Sequence, residues 1–228
     1  MACPVILITG ASRGLGAAIV AYLLEHTTAN LFLVSRTQLP LEAVKAVHPT
    51  RVSFLAVDMS IPANADAAVQ AALTAFGKLD AVVLNHGVLE PVGRLEEADT
   101  AAWRELFATN YFSCVDMVRA ALPALRAAPT GRVVMVSSIA ANIGFEAWGA
   151  YGGSKAAMNQ LCATLATEEP DVVAVAVSPG VVDTGMQREI RDKHGASMGA
   201  GHASFCALKA EGQLLKVRGS TWKGGGAC

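Results

Sequence analysis

Short apolar runs that alternate with longer helical patterns are the feature of this sequence that most limits its fold. Six such runs, rich in β-branched residues, occupy positions 5–8, 31–34, 52–57, 81–84, 133–136 and 172–177. They are nearly continuous in apolar character, as expected for strands that are covered on both faces. The pattern therefore predicts a sheet buried between two layers of helices.

Helical patterns fill the spaces between these runs, at about 15–25, 62–76, 100–127 and 150–168. Pro62 suits the first position of its helix, and Gly77 suits the residue that ends it. Strand–helix–strand repetition gives parallel strands, so we expect an α/β, Rossmann-like, doubly wound parallel sheet with helices on both faces. We expect a single domain over 1–212.

The composition narrows the class of protein. The chain has 228 residues with 18 basic and 19 acidic side chains, and 53% of its residues are hydrophobic. A disordered chain needs low hydrophobicity and high net charge, so that class is excluded. Because no basic stripe accompanies the net charge of -1, we expect no nucleic-acid partner.

No targeting, membrane or metal pattern stands out. Arg13 is the first basic residue, so run 5–8 lacks the positive flank of a signal peptide. No apolar stretch reaches the ~18 residues of a membrane span. The cysteines are scattered without a C-x-x-C pair, and the histidines form no ligand pattern. We expect a cytoplasmic protein without a membrane segment and without a metal ion.

A glycine-rich segment follows the first run directly: residues 9–16 read TGASRGLG. Glycines let the backbone approach a pyrophosphate closely, and the N-terminus of the following helix favours anions. A glycine turn that only packs a strand on a helix is the alternative, but its place in the first strand–turn–helix unit favours a dinucleotide site. The candidate binding residues here are Gly10, Ser12, Arg13, Gly14, Leu15 and Gly16.

The end of the second run indicates which dinucleotide is bound. NAD sites usually place an acidic residue there for the ribose 2′-hydroxyl, whereas this chain has Val34-Ser35-Arg36. Arg36 and Arg13 suit a 2′-phosphate, because guanidinium groups form charge-assisted contacts with phosphates. Ordinary solvated arginines are the alternative. We expect NADP(H) as the cofactor.

Tyr151 and Lys155 lie four residues apart on a predicted helix, so their side chains share one face. Ser138 follows the fifth run, at the sheet edge where open α/β folds bind ligands. An ammonium group beside a tyrosine lowers the phenol pKa and favours proton transfer to a carbonyl oxygen. Ser138 can hydrogen-bond that oxygen. Each residue alone has a structural explanation; the combination points to catalysis.

These motifs resemble the short-chain dehydrogenase/reductase family. Residues 9–16 match its T-G-x-x-x-G-x-G motif, and residues 151–155, YGGSK, match its Y-x-x-x-K motif. The resemblance implies catalytic roles for Tyr151, Lys155, Ser138 and Asn110. It also implies that Tyr151 and Lys155 contact the cofactor in addition to their catalytic roles. The full set of further cofactor contacts is Asp58, Asn85, Gly87, Tyr151, Lys155, Pro179, Gly180, Val182 and Thr184. His86 replaces a small residue of the family pattern, and we expect it to line the nucleotide groove; the other histidines are expected at the surface.

Within the family, residues 85–91 and 180–187 are most similar to the sepiapterin reductase and benzil reductase group. Sepiapterin reductases carry an aspartate that anchors the pterin, where this chain has Gly185. The resemblance therefore implies a ketone or diketone substrate rather than a pterin. Phe145, Trp148 and Met186 are candidate apolar walls for it.

Residues 213–228 depart from the family pattern and contain a glycine triplet at 224–226. We expect an irregular, mobile tail and a missing or degraded last strand. A homodimer or homotetramer would then be weakened. The leading hypothesis is an NADPH-dependent carbonyl reductase acting on a small-molecule ketone. The alternative is a nucleotide-binding protein with little or no turnover because of its C-terminus. A methyltransferase is disfavoured, because it does not need the Tyr–Lys pair.

Overall fold

The computed structural model describes residues 3–216. Its centre is one sheet whose strands are β1 (Val5–Thr9), β2 (Asn30–Ser35), β3 (Val52–Ala56), β4 (Ala81–Leu84), β5 (Gly131–Val136) and β6 (Val172–Val177). All neighbours are parallel, in the order β3-β2-β1-β4-β5-β6. Each predicted run forms one strand, and the largest shift is at β5, which begins at Gly131. The chain order reverses between β1 and β4, which opens a ligand crevice at their carboxyl ends.

Eight α-helices accompany the sheet in the described residues: α1 (Gly14–His26), α2 (Gln38–Val47), α3 (Ala63–Phe76), α4 (Thr100–Phe107), α5 (Ser113–Ala127), α6 (Gly149–Glu168), α7 (Gly185–Lys193) and α8 (Gly195–Ala210). One face of the sheet is covered by α3, α5 and α6, and the other by α1 and α2. Along β1 the buried side chains alternate, with Leu7 facing the first layer and Ile8 the second. The doubly wound Rossmann-like fold is confirmed.

The helix predicted over 100–127 is interrupted in its middle. Residues Ala108–Phe112 form a π-helical turn between α4 and α5. Such turns insert one extra residue and often occur at functional sites. Gly77 ends α3 in the left-handed conformation, as predicted, with φ of 76°. Pro62 lies one residue before the first helical position, so the predicted start is shifted by that residue.

Three helices were not predicted from the sequence, namely α2, α7 and α8. Only Leu41 of α2 is fully buried, and the helix is just ten residues long with a proline in its first turn, so its sequence gives a weak helical signal. α8 contains several glycines, and its backbone leaves helical geometry at Gly199 (φ of 51°). A helix of this kind forms because tertiary packing overrides its weak local propensity.

No seventh strand pairs with the outer edge of β6 within residues 3–216. Leu215 instead forms an isolated parallel bridge with Val182. Its N–H donates to Val181 O at 2.9 Å, and its carbonyl oxygen accepts from Asp183 N at 2.9 Å. Leu214 beside it is buried. The rest of the predicted tail, 217–228, lies outside the described residues.

Candidate active site

A groove of about 900 Å³ runs along the carboxyl ends of the strands. Most of the predicted site residues lie in its wall: Gly10, Ser12, Arg13, Gly14, Leu15, Arg36, Asp58, Asn85, Gly87, Ser138, Tyr151, Lys155, Pro179, Gly180, Val182 and Thr184. The two predicted residues that do not line the groove are Gly16 and Asn110, which are buried. The structure thus brings residues from distant parts of the chain to one edge of the sheet.

The glycine-rich loop connects β1 to α1 at the floor of this groove. Gly10 and Gly14 have positive φ angles of 65° and 56°, which favour glycine. A Cβ at Gly16 would lie only 2.1 Å from Gly10 O. Asn85 fixes the loop, since its Nδ2 donates to the carbonyl oxygens of Thr9 and Gly10 at 3.1 Å each.

No side chain caps the N-terminus of α1. Its N-cap residue, Arg13, makes no side-chain capping hydrogen bond, and the first turn contains no acidic residue. The free N–H groups of a helix start attract phosphate groups. Together with the glycine cradle, this end of the groove fits the pyrophosphate of a dinucleotide.

Arg36 lies at the end of β2, at the adenosine end of such a dinucleotide. Its Nη1 is 3.9 Å from Asp58 Oδ2, and its side chain is 61% exposed. Asp58 Oδ1 accepts from both the N–H and the hydroxyl of Ser60 at 2.9 Å. These contacts, the Ser60 backbone hydrogen bond first, lower the pKa of Asp58. Arg13 extends towards α7, where a Cβ at Gly185 would lie 3.9 Å from its Nη1.

Tyr151 and Lys155 are buried side by side on α6, with exposures of 8% and 3%. Lys155 Nζ lies 5.9 Å from the centroid of the Tyr151 ring and donates to Val136 O at 2.7 Å. Burial lowers the pKa of Lys155 to about 8. Burial also raises the pKa of Tyr151, more than a hydrogen bond with Ser138 lowers it. The expected lowering of the Tyr151 pKa is therefore absent from this arrangement, because burial outweighs the contact with Ser138.

Asn110 sits in the π-helical turn and is fully buried. Its Oδ1 accepts from Val88 N at 2.8 Å, while its Nδ2 donates to Val88 O at 2.8 Å and to Ser154 Oγ at 3.2 Å. A Cβ at Gly87 would lie 3.3 Å from Asn110 Oδ1 and 3.7 Å from Lys155 Nζ. Because Gly87 has no side chain, a small space remains beside it, and Asn110 Oδ1 and Lys155 Nζ both border that space.

Ser138 follows β5 and has two roles in the structure. Its Oγ accepts from Ala140 N at 3.2 Å and caps the short 3-10 helix Ile139–Ala141. It also lies close enough to Tyr151 to lower the pKa of that tyrosine, against the stronger effect of burial. The structural and the catalytic interpretations of this serine are compatible.

His86 makes contacts that the sequence does not reveal. Its Nδ1 lies 2.6 Å from Thr9 Oγ1, and its Nε2 lies 2.6 Å from Ser113 Oγ. Because the Ser113 hydroxyl donates to Thr109 O, the network assigns a neutral ring with its proton on Nε2. Burial, aided by Lys155, lowers the pKa of His86 to about 4. The imidazole therefore ties the end of β1 to the start of α5.

The prediction that the remaining histidines lie at the surface is wrong for His194. This residue is only 9% exposed, and its Nε2 lies 3.5 Å from Glu90 Oε1. It is buried because it follows α7 at a junction with α8, and neither helix was predicted. No group of three or more His, Cys, Asp or Glu side chains in residues 3–216 is arranged to hold a metal ion.

Aromatic side chains line the groove beside Tyr151. Phe145, Trp148 and Met186, the predicted apolar walls, all lie there. Phe205 of α8 joins them and stacks on Trp148 with ring centroids 5.3 Å apart. Trp148 in turn meets Tyr151 edge-on at 5.6 Å. Phe205 was missed because the glycine-rich sequence of α8 hides the helix that carries it.

None of the helices among the described residues has the length and apolar character needed to cross a bilayer.

Comparisons with known proteins agree with this architecture. Residues 4–195 match the sequence profile of the family described as short chain dehydrogenase. A benzil reductase from Saccharomyces cerevisiae, described as (S)-benzoin forming, is 38% identical over 84% of this chain and 76% of its own length.

Two solved structures are similar as well. The KRED1-Pglu enzyme superposes with a TM-score of 0.91 at 40% identity, covering 94% of this chain and 90% of its own. A cytoplasmic protein of unknown function from Saccharomyces cerevisiae has a TM-score of 0.78 at 40% identity, over 94% and 86% of the two chains. With the family profile matched over most of its length, the chain is an oxidoreductase that belongs to the short-chain dehydrogenase family.

Proposed function

We propose that this protein is an NADPH-dependent carbonyl reductase that converts a ketone or diketone to an alcohol. The buried side chains of Tyr151 and Lys155 line the same groove as the uncapped, glycine-rich start of α1, and this arrangement is the main support for the proposal. The similarity to a benzil reductase supports a carbonyl substrate.

In this mechanism the protein supplies the proton and the orientation. NADPH, when bound, supplies hydride to the carbonyl carbon and becomes oxidised. Tyr151 donates its hydroxyl proton to the carbonyl oxygen, and Ser138 hydrogen-bonds the oxygen as negative charge develops on it. The positive charge of Lys155 favours the resulting phenolate. Asn110, close to Lys155 across Gly87, is proposed to help return a proton to the tyrosine.

Arg36 supports the choice of NADPH over NADH. It follows the end of β2, where an NAD site would place a carboxylate that accepts a hydrogen bond from the ribose 2′-hydroxyl. The carboxylate near Arg36 is Asp58, and it already accepts hydrogen bonds from Ser60. A mostly exposed guanidinium is available to a 2′-phosphate by charge-assisted hydrogen bonds.

The aromatic wall supports an aryl ketone or an aromatic diketone. Phe145, Trp148 and Phe205 form a continuous set of rings next to Tyr151. Flat rings of a substrate pack well in edge-to-face or offset contact with such side chains. The neutral Gly185 offers no carboxylate for a pterin.

The decisive experiment is an NADPH-oxidation screen with aromatic diketones, aryl ketones, pterins and quinones. We expect consumption of NADPH with the diketones and aryl ketones, and the matching alcohol as product by chromatography. NADPH binding without oxidation by any carbonyl would contradict the proposal and favour the alternative of a nucleotide-binding protein without turnover.

We also propose a cytoplasmic location and weak self-association. The first is supported by the similar yeast protein that is described as cytoplasmic, and cell fractionation tests it. The second is supported by the end of the sheet at β6 in residues 3–216, because the further strand that helps to build subunit interfaces in the family does not follow it there. Light scattering that finds a stable tetramer would contradict it.

A further inference from the structure

A second cavity, of about 540 Å³, opens beside the glycine-rich loop. It shares Gly14, Thr184 and Gly185 with the large groove, so the two spaces adjoin at the start of α1. Arg188 of α7 lies in the rest of its wall, together with Arg191 and Lys209. The family motifs assign no function to these three cations.

The charges around this cavity do not balance. Asp183 is the one carboxylate in its wall. Lys209 Nζ donates to Asp183 Oδ2 at 2.6 Å, and Arg191 Nη2 lies 3.9 Å from Asp183 Oδ1. Arg188 is exposed and makes no ion pair or side-chain hydrogen bond with any residue in 3–216, although its charge helps to lower the pKa of Asp183 after the stronger effect of Lys209. The wall therefore carries three cations for one carboxylate, and Arg188 is the cation without an ion-pair partner among the described residues.

The first residues of two helices, α1 and α7, lie in the wall of this cavity. α1 begins at Gly14, and α7 begins at Gly185 after its N-cap residue Thr184. Neither start has a side-chain capping hydrogen bond, and neither has an acidic residue in its first turn. Uncapped N-termini carry partial positive charge that favours an anion. Together with Arg188, they make this junction strongly attractive to a diphosphate.

We propose that Arg188 is a further cofactor-binding residue, which contacts the pyrophosphate of the dinucleotide from the side opposite α1. This inference rests on the proposed function, because it requires that the groove holds a dinucleotide. The 2′-phosphate is not the target, since Arg36, the residue at the adenosine end, is absent from the wall of this cavity. An anionic substrate is not the target either, because Tyr151 and Ser138 are also absent from the wall.

The test compares two dinucleotides on two variants by titration of protein fluorescence. Arg188→Gln should weaken NADPH and NADH by the same factor, about 10- to 150-fold, as expected for one charge-assisted hydrogen bond. Arg36→Gln should weaken NADPH and leave NADH unchanged. Lys193→Gln is the matched control, because Lys193 is on the same helix and pairs with Glu189 at 2.9 Å; its affinities should equal those of the wild type.

The outcomes separate this inference from the proposed function. Unchanged affinities of Arg188→Gln, or a loss confined to NADPH, would overturn the role of Arg188 while the reductase proposal stands. A wild-type protein that binds neither dinucleotide would overturn both. ADP-ribose, which has the pyrophosphate but no nicotinamide, should show the same loss in Arg188→Gln. Circular dichroism checks that each variant is folded.

Discussion

Replacing Gly16 by alanine tests the packing of the cofactor loop most severely. The new Cβ would lie 2.1 Å from Gly10 O and 2.5 Å from Asn85 Nδ2. Neither neighbour moves easily, because Gly10 has a positive φ and Asn85 holds the loop with two hydrogen bonds. Overpacking of this kind costs about 3 kcal/mol at the upper end of its usual range. Losing one of the hydrogen bonds of Asn85 would lower the free energy of unfolding by about 1 kcal/mol, and the better helix propensity of alanine would raise it by about 1 kcal/mol, so these two effects nearly cancel.

The expected result is a protein that still folds but melts earlier and binds its cofactor poorly. For a chain of this size, about 3 kcal/mol lowers the melting temperature by about 6–12 °C. NADPH affinity should fall at least about tenfold, because the loop N–H groups move away from the phosphates. Differential scanning calorimetry and fluorescence titration measure the two effects. Gly93→Ala is the control, since its Cβ would meet nothing within 4 Å. Normal melting and normal NADPH binding in Gly16→Ala would refute the packing argument.

Three further substitutions follow from the site. Asn110→Asp replaces an amide that donates to Val88 O and Ser154 Oγ by a buried carboxylate, and should lower the free energy of unfolding by about 2–5 kcal/mol in urea titrations; an unchanged value contradicts the burial argument. His86 takes a proton near pH 6.5 when unfolded but only near pH 4 when folded, so the unfolded state binds more protons between these values and stability falls as the pH is lowered through them. His86→Leu should show a shallower pH dependence of the unfolding free energy, and identical slopes would exclude this role. Phe205→Ala should raise KM for aromatic diketones more than for small aliphatic ketones, as steady-state kinetics would show; equal changes would remove Phe205 from the substrate wall.

The sheet was predictable from the sequence because its strands are buried on both faces. Leu7 faces one helical layer and Ile8 the other, so no polar residue interrupts the apolar run. A boundary such as Gly77 was predictable because the left-handed end of α3 favours glycine. These features depend on local chemistry, which a sequence records directly.

Features that depend on tertiary contacts were less accessible. The π-helical turn that holds Asn110 lies inside a stretch that the sequence predicts as one helix over 100–127, so only the structure shows it. Ser113 lies 27 positions after His86, and no local pattern links the two. α8 forms against Trp148 through Phe205 although its glycines weaken helix propensity. The identity of the site residues could therefore be predicted from sequence motifs, whereas the contacts that hold their side chains in place could not.

Reduction of the carbonyl depends on Tyr151 as proton donor, and the Tyr151→Phe variant isolates that role. The substitution removes only the hydroxyl, so the edge-on contact with Trp148 and the position of Lys155 should persist. Turnover should be measured with an aromatic diketone at saturating NADPH, with NADPH binding measured separately. We expect that NADPH still binds while kcat falls by about 100-fold or more, the usual contribution of general acid catalysis. If the variant binds NADPH and reduces the diketone at the wild-type rate, Tyr151 is not the proton donor.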